Sequence, residues 1–111
     1  MQTAAGRLER VWQQLRDLGP LLPGSISTQW NVCGTPGCRC KAPRRPHKHG
    51  PYHQLSFTVG GRSSTLFLKP ADLPEARRRI QRYRRFKALI KELLHAYVTL
   101  ARAQGLTGCT R

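Results

Sequence analysis

The chain has 111 residues, with 20 Lys or Arg against 5 Asp or Glu, a net charge of +15 and an isoelectric point near 11.3. That length fits a single domain over residues 1–111 with one modest core, and it leaves no room for a large cofactor domain. So dense a positive charge repels itself unless a polyanion shares it, which makes nucleic acid the expected partner.

Leu8, Val11, Trp12, Leu15 and Leu18 recur at the spacing of an amphipathic helix over residues 4–18, which Gly19-Pro20 ends. Residues 1–19 carry charges among their apolar positions, unlike a secretory leader, and no apolar stretch approaches the ~20 residues of a membrane span. A cytoplasmic protein with no membrane partner is expected. The run Ser25 to Val32 largely alternates polar and apolar side chains, as a half-buried strand does. Trp12 and Trp30 belong to these two apolar patterns and are placed in the core.

Residues 33–51 have little periodicity, five Lys or Arg, no acid and many Gly and Pro, so this loop needs something other than a core to hold it. Beyond it, Leu55, Phe57 and Val59 alternate up to Gly60-Gly61, and Leu66 and Leu68 alternate after it, the pattern of a hairpin with a two-residue turn. Pairing Val59 with Arg62 puts those five apolar residues on one face and Tyr52, Gln54, Thr58, Thr65, Phe67 and Lys69 on the other. Asp72-Leu73-Pro74-Glu75 reads as a helix start with a capping-box acid, opening a helix over 73–104 that Gly105 ends. The expected fold is α+β. A strand and a hairpin form a short antiparallel sheet over 25–69, on which the N-terminal helix and the long basic C-terminal helix pack, with a knuckle-like loop inserted.

The knuckle is the chemically pointed feature. Cys33-Gly34-Thr35-Pro36-Gly37-Cys38-Arg39-Cys40 places a tight Gly and Pro turn between thiols, and in a reducing compartment clustered thiols read as metal ligands. Cys33, Cys38 and Cys40 need a fourth ligand, and His49 stands in place to complete three thiolates and one imidazole around structural zinc, with His47 and His53 as rivals. Cys109 stands apart as a free thiol.

The ordered set CGTPGCRC, HGPY, a Gly-Gly hairpin and the basic helix RRRIQRYRRFKALI resembles a small bacterial family of unknown function, over about Gly24 to Leu94. Members of that family typically show CGKPxCRC followed by HGPY and often lie near mobile elements. The resemblance implies a metal knuckle and a mobile-DNA context, and carries no activity. Thr35 stands where that pattern commonly has Lys, and His53 where it commonly has an aromatic.

Two basic surfaces are expected to take nucleic acid, with DNA favoured over RNA. One is the knuckle, through Arg39, Lys41, Arg44, Arg45 and Lys48. The other is the long helix, through Arg77, Arg78, Arg84, Arg85 and Lys91, where a cationic stripe from Arg77 to Arg102 spans about 38 Å opposite an apolar arc of Phe86, Ile90, Leu93, Leu94, Tyr97, Val98 and Ala101. Tyr52, Phe67 and Tyr83 are candidate stacking platforms for unpaired bases, although aromatics at strand or helix spacing normally pack as core or rim. Only Glu9, Asp17, Asp72, Glu75 and Glu92 are acidic, no pair of them suggests acid–base work, and no phosphate loop, nucleophile elbow or H-E-x-x-H is present, so no enzyme is expected. The expectation is an accessory or regulatory DNA-binding factor of a mobile element. The alternative is an interaction accessory of a larger transposase or recombinase-type enzyme, joined to it or to a second copy through the long helix.

Overall fold

The computed structural model describes residues 3–31, 34–43 and 47–106. Along them run α1 (Ala4–Arg16), β1 (Ser25–Asn31), β2 (His49–Val59), β3 (Arg62–Leu68) and α2 (Leu73–Gln104), with single 3-10 turns at Arg39–Lys41 and Pro70–Asp72. This is the expected α+β order, and the long helix has the boundaries that its periodicity predicts. The chain forms two compact units, one of Pro23–Ile80 and one of Met1–Leu22 with Gln81–Arg111. Among the described residues no helix is long and apolar enough to cross a membrane.

In the sheet unit β2 is central, with β1 and β3 antiparallel on its two sides. Gly60 and Gly61 take φ of +60° and +78°, the two left-handed residues of the turn whose twist matches paired strands. The turn pairs Val59 with Arg62 and Leu55 with Leu66, the predicted register. Leu55 is fully buried, and Ile26, Phe57 and Leu68 on the same face are half-buried. Val59 and Leu66 share that face but lie exposed. Among the described residues of the unit, Ala76 and Ile80, in the first turns of α2, are the other buried apolar side chains besides Cys40.

In the helical unit Thr3 starts α1, its Oγ1 accepting the Gly6 N–H at 3.0 Å and so satisfying one of the donors that a helix start leaves unpaired. Leu8 and Val11 form one core with Leu89, Leu93 and Ala96 of α2, and Leu15, Leu18, Ile90 and Leu100 pack against it. The first helix thus finds its apolar partner in the long helix. The buried side of α2 differs from expectation. It is centred on Leu89, Leu93 and Ala96, while Leu94, Tyr97 and Val98 stay exposed. Between residues 86 and 101 the helix is apolar over a broad arc, and one helix of 13 residues covers only part of it.

Both tryptophans lie outside the core. Trp12 is 42% exposed and donates its indole N–H to the Tyr97 hydroxyl at 3.3 Å, a rim contact that keeps the ring half packed and its polar edge paired. Trp30 is 55% exposed on β1, an edge strand with a neighbour on one side only. The long helix starts differently too. The Asp72 N–H closes a 3-10 turn on Lys69 O at 2.9 Å, and the Glu75 carboxylate holds Arg78 at 3.0 Å and Arg79 at 2.9 Å.

Leu89→Ala removes a fully buried side chain from the shared helical core and should cost about 2–5 kcal/mol in a urea melt, whereas Leu94→Ala should change stability by less than about 0.5 kcal/mol. Equal losses would contradict this division of the arc.

Candidate metal centre

The loop between β1 and β2 is built from two tight turns. Thr35-Pro36-Gly37-Cys38 closes with the Cys38 N–H on Thr35 O at 3.4 Å. Pro36 supplies the fixed φ of its second position and Gly37, at φ +74°, the left-handed third position. Cys38 then caps the 3-10 turn, with the Lys41 N–H on Cys38 O at 3.0 Å and the Ala42 N–H on Arg39 O at 3.1 Å. The returning chain is tied to the same turn, because the His47 N–H also donates to Arg39 O, at 2.9 Å. Two residues later His49 opens β2, paired across the sheet with Asn31.

This path brings Cys38, half-buried, and Cys40, 1% exposed, together with His49: the Sγ and ring nitrogen atoms of the three all lie within 4.8 Å of one another. Cys38 Sγ stands 3.3 Å from His49 Nε2. A tetrahedral zinc site with bonds near 2.3 Å to sulfur and 2.0–2.1 Å to nitrogen sets its ligand atoms about 3.5–3.8 Å apart, so these three donors meet a metal ion after shifts of an ångström or less. Two soft thiols and an imidazole are also the donor chemistry that zinc takes. The structure thus contains a Cys-Cys-His group able to bind a metal ion, in the loop where the sequence places one.

Of the three candidate histidines the group takes His49. The ring of His53 lies in mid-sheet, its Nδ1 3.1 Å from the hydroxyl of its cross-strand partner Thr28. His47 contributes its backbone to the loop and is not in the group. Cys33, the expected further ligand, lies outside the described residues, two positions after Asn31 in the chain, and so does Cys109. Three donors leave one tetrahedral position to fill.

The expected nucleic-acid contacts are partly in view. Arg39, Lys41 and Lys48 are exposed around the knuckle, whereas Arg44 and Arg45 lie outside the described residues. On α2, Arg77, Arg78, Arg84, Arg85 and Lys91 are all exposed, but they are not equivalent. Arg78 is paired with Glu75, and Arg85 reaches Gln14 Oε1 at 3.4 Å. Arg77, Arg84 and Lys91 have no ion pair among the described residues, so of these five their charge is the least engaged. Glu75, expected as a capping-box acid, instead pairs with Arg78 and Arg79 at the i, i+3 and i, i+4 spacings of a helix surface. No acid occurs anywhere in residues 25–69, which hold seven Lys or Arg, so the metal-binding group sits in a segment of one sign of charge.

Comparison with protein families matches residues 4–78 to a domain of unknown function, DUF6788, which takes in α1, the sheet, the knuckle and the first turns of α2. Comparisons with curated proteins and with solved structures find no match. With more than half of its length matched, the chain belongs to the DUF6788 family.

Proposed function

We propose that this protein is a small nucleic-acid-binding factor whose basic β1–β2 loop is held in shape by a structural zinc ion on Cys38, Cys40, His49 and Cys33. The observation that carries this reading is the convergence of Cys38, Cys40 and His49 within a segment that has seven cations and no acid. Zinc on three thiolates and one neutral imidazole has one net negative charge, which the neighbouring Arg39 and Lys41 offset. Once ordered, the loop presents its cations as a set rather than as a fluctuating tail. Phosphate neutralisation by this loop and by Arg77, Arg84 and Lys91 would supply most of the affinity, without reading sequence. The role is binding rather than catalysis. DNA as the polymer, and accessory or regulatory work in the transactions of a mobile element, rest on the resemblance of CGTPGCRC and HGPY to a family found near such elements.

Chain purified without added metal should contain one zinc per molecule. Cys40→Ser should lose the metal together with the strand signal of the sheet, and His53→Ala should keep both. Metal-free natural chain, read by elemental analysis, would overturn the zinc assignment. If about five phosphates of a random duplex are engaged, log K should fall with log salt at a slope of roughly −4.5. Arg84→Ala with Lys91→Ala should make that slope shallower by about 1.8 for every sequence. An unchanged slope would remove the long helix from the interface.

One observation favours the second reading, a protein-interaction accessory: Leu94, Tyr97, Val98 and Leu106 leave apolar surface open along the end of α2. Leu93 is buried in the chain's own core, so the informative substitution is at its exposed neighbour. A tight dimer in sedimentation that Leu94→Asp dissolves into folded monomer would support that reading, and an indifferent monomer would favour direct binding.

A further inference from the structure

Alternation along β2 divides the sheet into two faces of opposite character. Leu55 and Phe57 point to the covered side. Tyr52 and Gln54 point to the other, and the pair Gln54↔Phe67 puts Phe67 there with them, while Gln29↔Tyr52 and Ser27↔Gln54 add polar residues of β1. This second face is an open polar sheet with two aromatic rings on it. Phe67 is 70% exposed and Tyr52 41% exposed. Tyr52 and Phe67 occupy diagonal positions of one strand pair, about 7–8 Å apart. Folding leaves Phe67 mostly and Tyr52 partly in water, and among the described residues neither ring makes an aromatic or cation–π contact.

The charge around this face says what could cover it. Lys48 precedes β2 and Lys69 follows β3, so both stand at the end of the sheet where Tyr52 sits, which is also the end that carries the knuckle with Arg39 and Lys41. Residues 25–69 hold no acid. The occupant must therefore combine dense negative charge with flat apolar surfaces that it can lay on separate rings. A nucleic-acid duplex has the charge but keeps its bases in the stack, whereas an unpaired strand offers both.

We propose that the open face of the sheet binds single-stranded nucleic acid, with unpaired bases stacking on Tyr52 and Phe67 and the phosphates held by Lys48, Lys69 and the cations of the knuckle. Sheets that carry exposed aromatics bind unpaired bases in this manner, and stacking tolerates any sequence because every base has a π-face. Gln29, Ser27 and Gln54 lie on the same face and can donate to or accept from the edges of a stacked base. This inference rests on the nucleic-acid reading above and adds to it the class of strand and the surface that takes it.

The test compares a labelled oligothymidylate with a random duplex of equal length, using the full metal-loaded chain at fixed salt. Tyr52→Ala and Phe67→Ala should each weaken binding of the oligothymidylate by roughly five-fold to a hundred-fold, leave its salt slope unchanged and leave the duplex unaffected; Phe67→Trp should retain binding. Ultraviolet crosslinking of the unsubstituted chain to the oligothymidylate should place adducts at Tyr52 or Phe67, a readout that does not depend on any variant folding. Oligothymidylate bound with undiminished affinity by both alanine variants, or crosslinked only elsewhere, would overturn the sheet surface and leave nucleic-acid binding standing. Failure of the metal-loaded chain to bind either nucleic acid would overturn both.

Discussion

Between Asn31 and His49 the chain must leave an edge strand and return as the central one, with no apolar run to guide it and every formal charge on the way positive. The rest of the sheet unit depends on how that return is held. Two tight turns and the shared Arg39 carbonyl shape the loop, but backbone hydrogen bonds open to water contribute only about 0.5–1.5 kcal/mol each, against a comparable entropy for each residue ordered. A zinc ion on thiolates and imidazole is a different order of effect: about 10–16 kcal/mol in small zinc-dependent folds, as large as the whole stability of an ordinary domain. On the proposed zinc reading, the meeting of Cys38, Cys40 and His49 is the contact on which the ordering of the loop and the first β1–β2 pairs turns.

Acids are few, and their placement explains which cations remain available. Glu75 is taken up by Arg78 and Arg79, and Glu92 lies 3.8 Å from Arg7. Exposed pairs of this kind contribute about 0–1 kcal/mol each, too little for the basic composition to be a device for stability. What they leave is positive charge concentrated on the knuckle, at one end of the sheet and on the side of α2 that carries Arg77, Arg84 and Lys91. The polar face of the sheet, with its two uncovered rings, lies beside the first two of these. The proposed phosphate binding and the proposed base stacking therefore fall on one region rather than on separate sites.

Much of this was legible in the sequence, and the parts that were not share a cause. The Gly60-Gly61 turn specified the hairpin register, because only left-handed residues fit such a turn and the alternation of Leu55 and Phe57 admits one phase. The limits of the long helix followed from Leu73-Pro74 and Gly105. The grouping of Cys38 and Cys40 with a nearby imidazole was readable from spacing, but the choice of His49 over His53 needed the pairing of Thr28 with His53, a contact between residues 25 apart. The buried side of α2 was misread because its apolar arc is wider than its partner. Periodicity finds such an arc, whereas only the position of α1 decides that Leu89 and Ala96 are covered and Leu94 and Val98 are not. Trp12 and Trp30 follow the same logic, since an apolar pattern predicts a side and not the neighbour that fills it.

X-ray absorption at the zinc edge, on chain purified without added metal, tests the central claim most directly. The account predicts one zinc per chain with a shell of three sulfur atoms near ~2.3 Å and one nitrogen near ~2.0–2.1 Å, the nitrogen signal lost in His49→Ala and kept in His53→Ala. Zinc surrounded by oxygen and nitrogen alone, or no metal in folded chain, would contradict it.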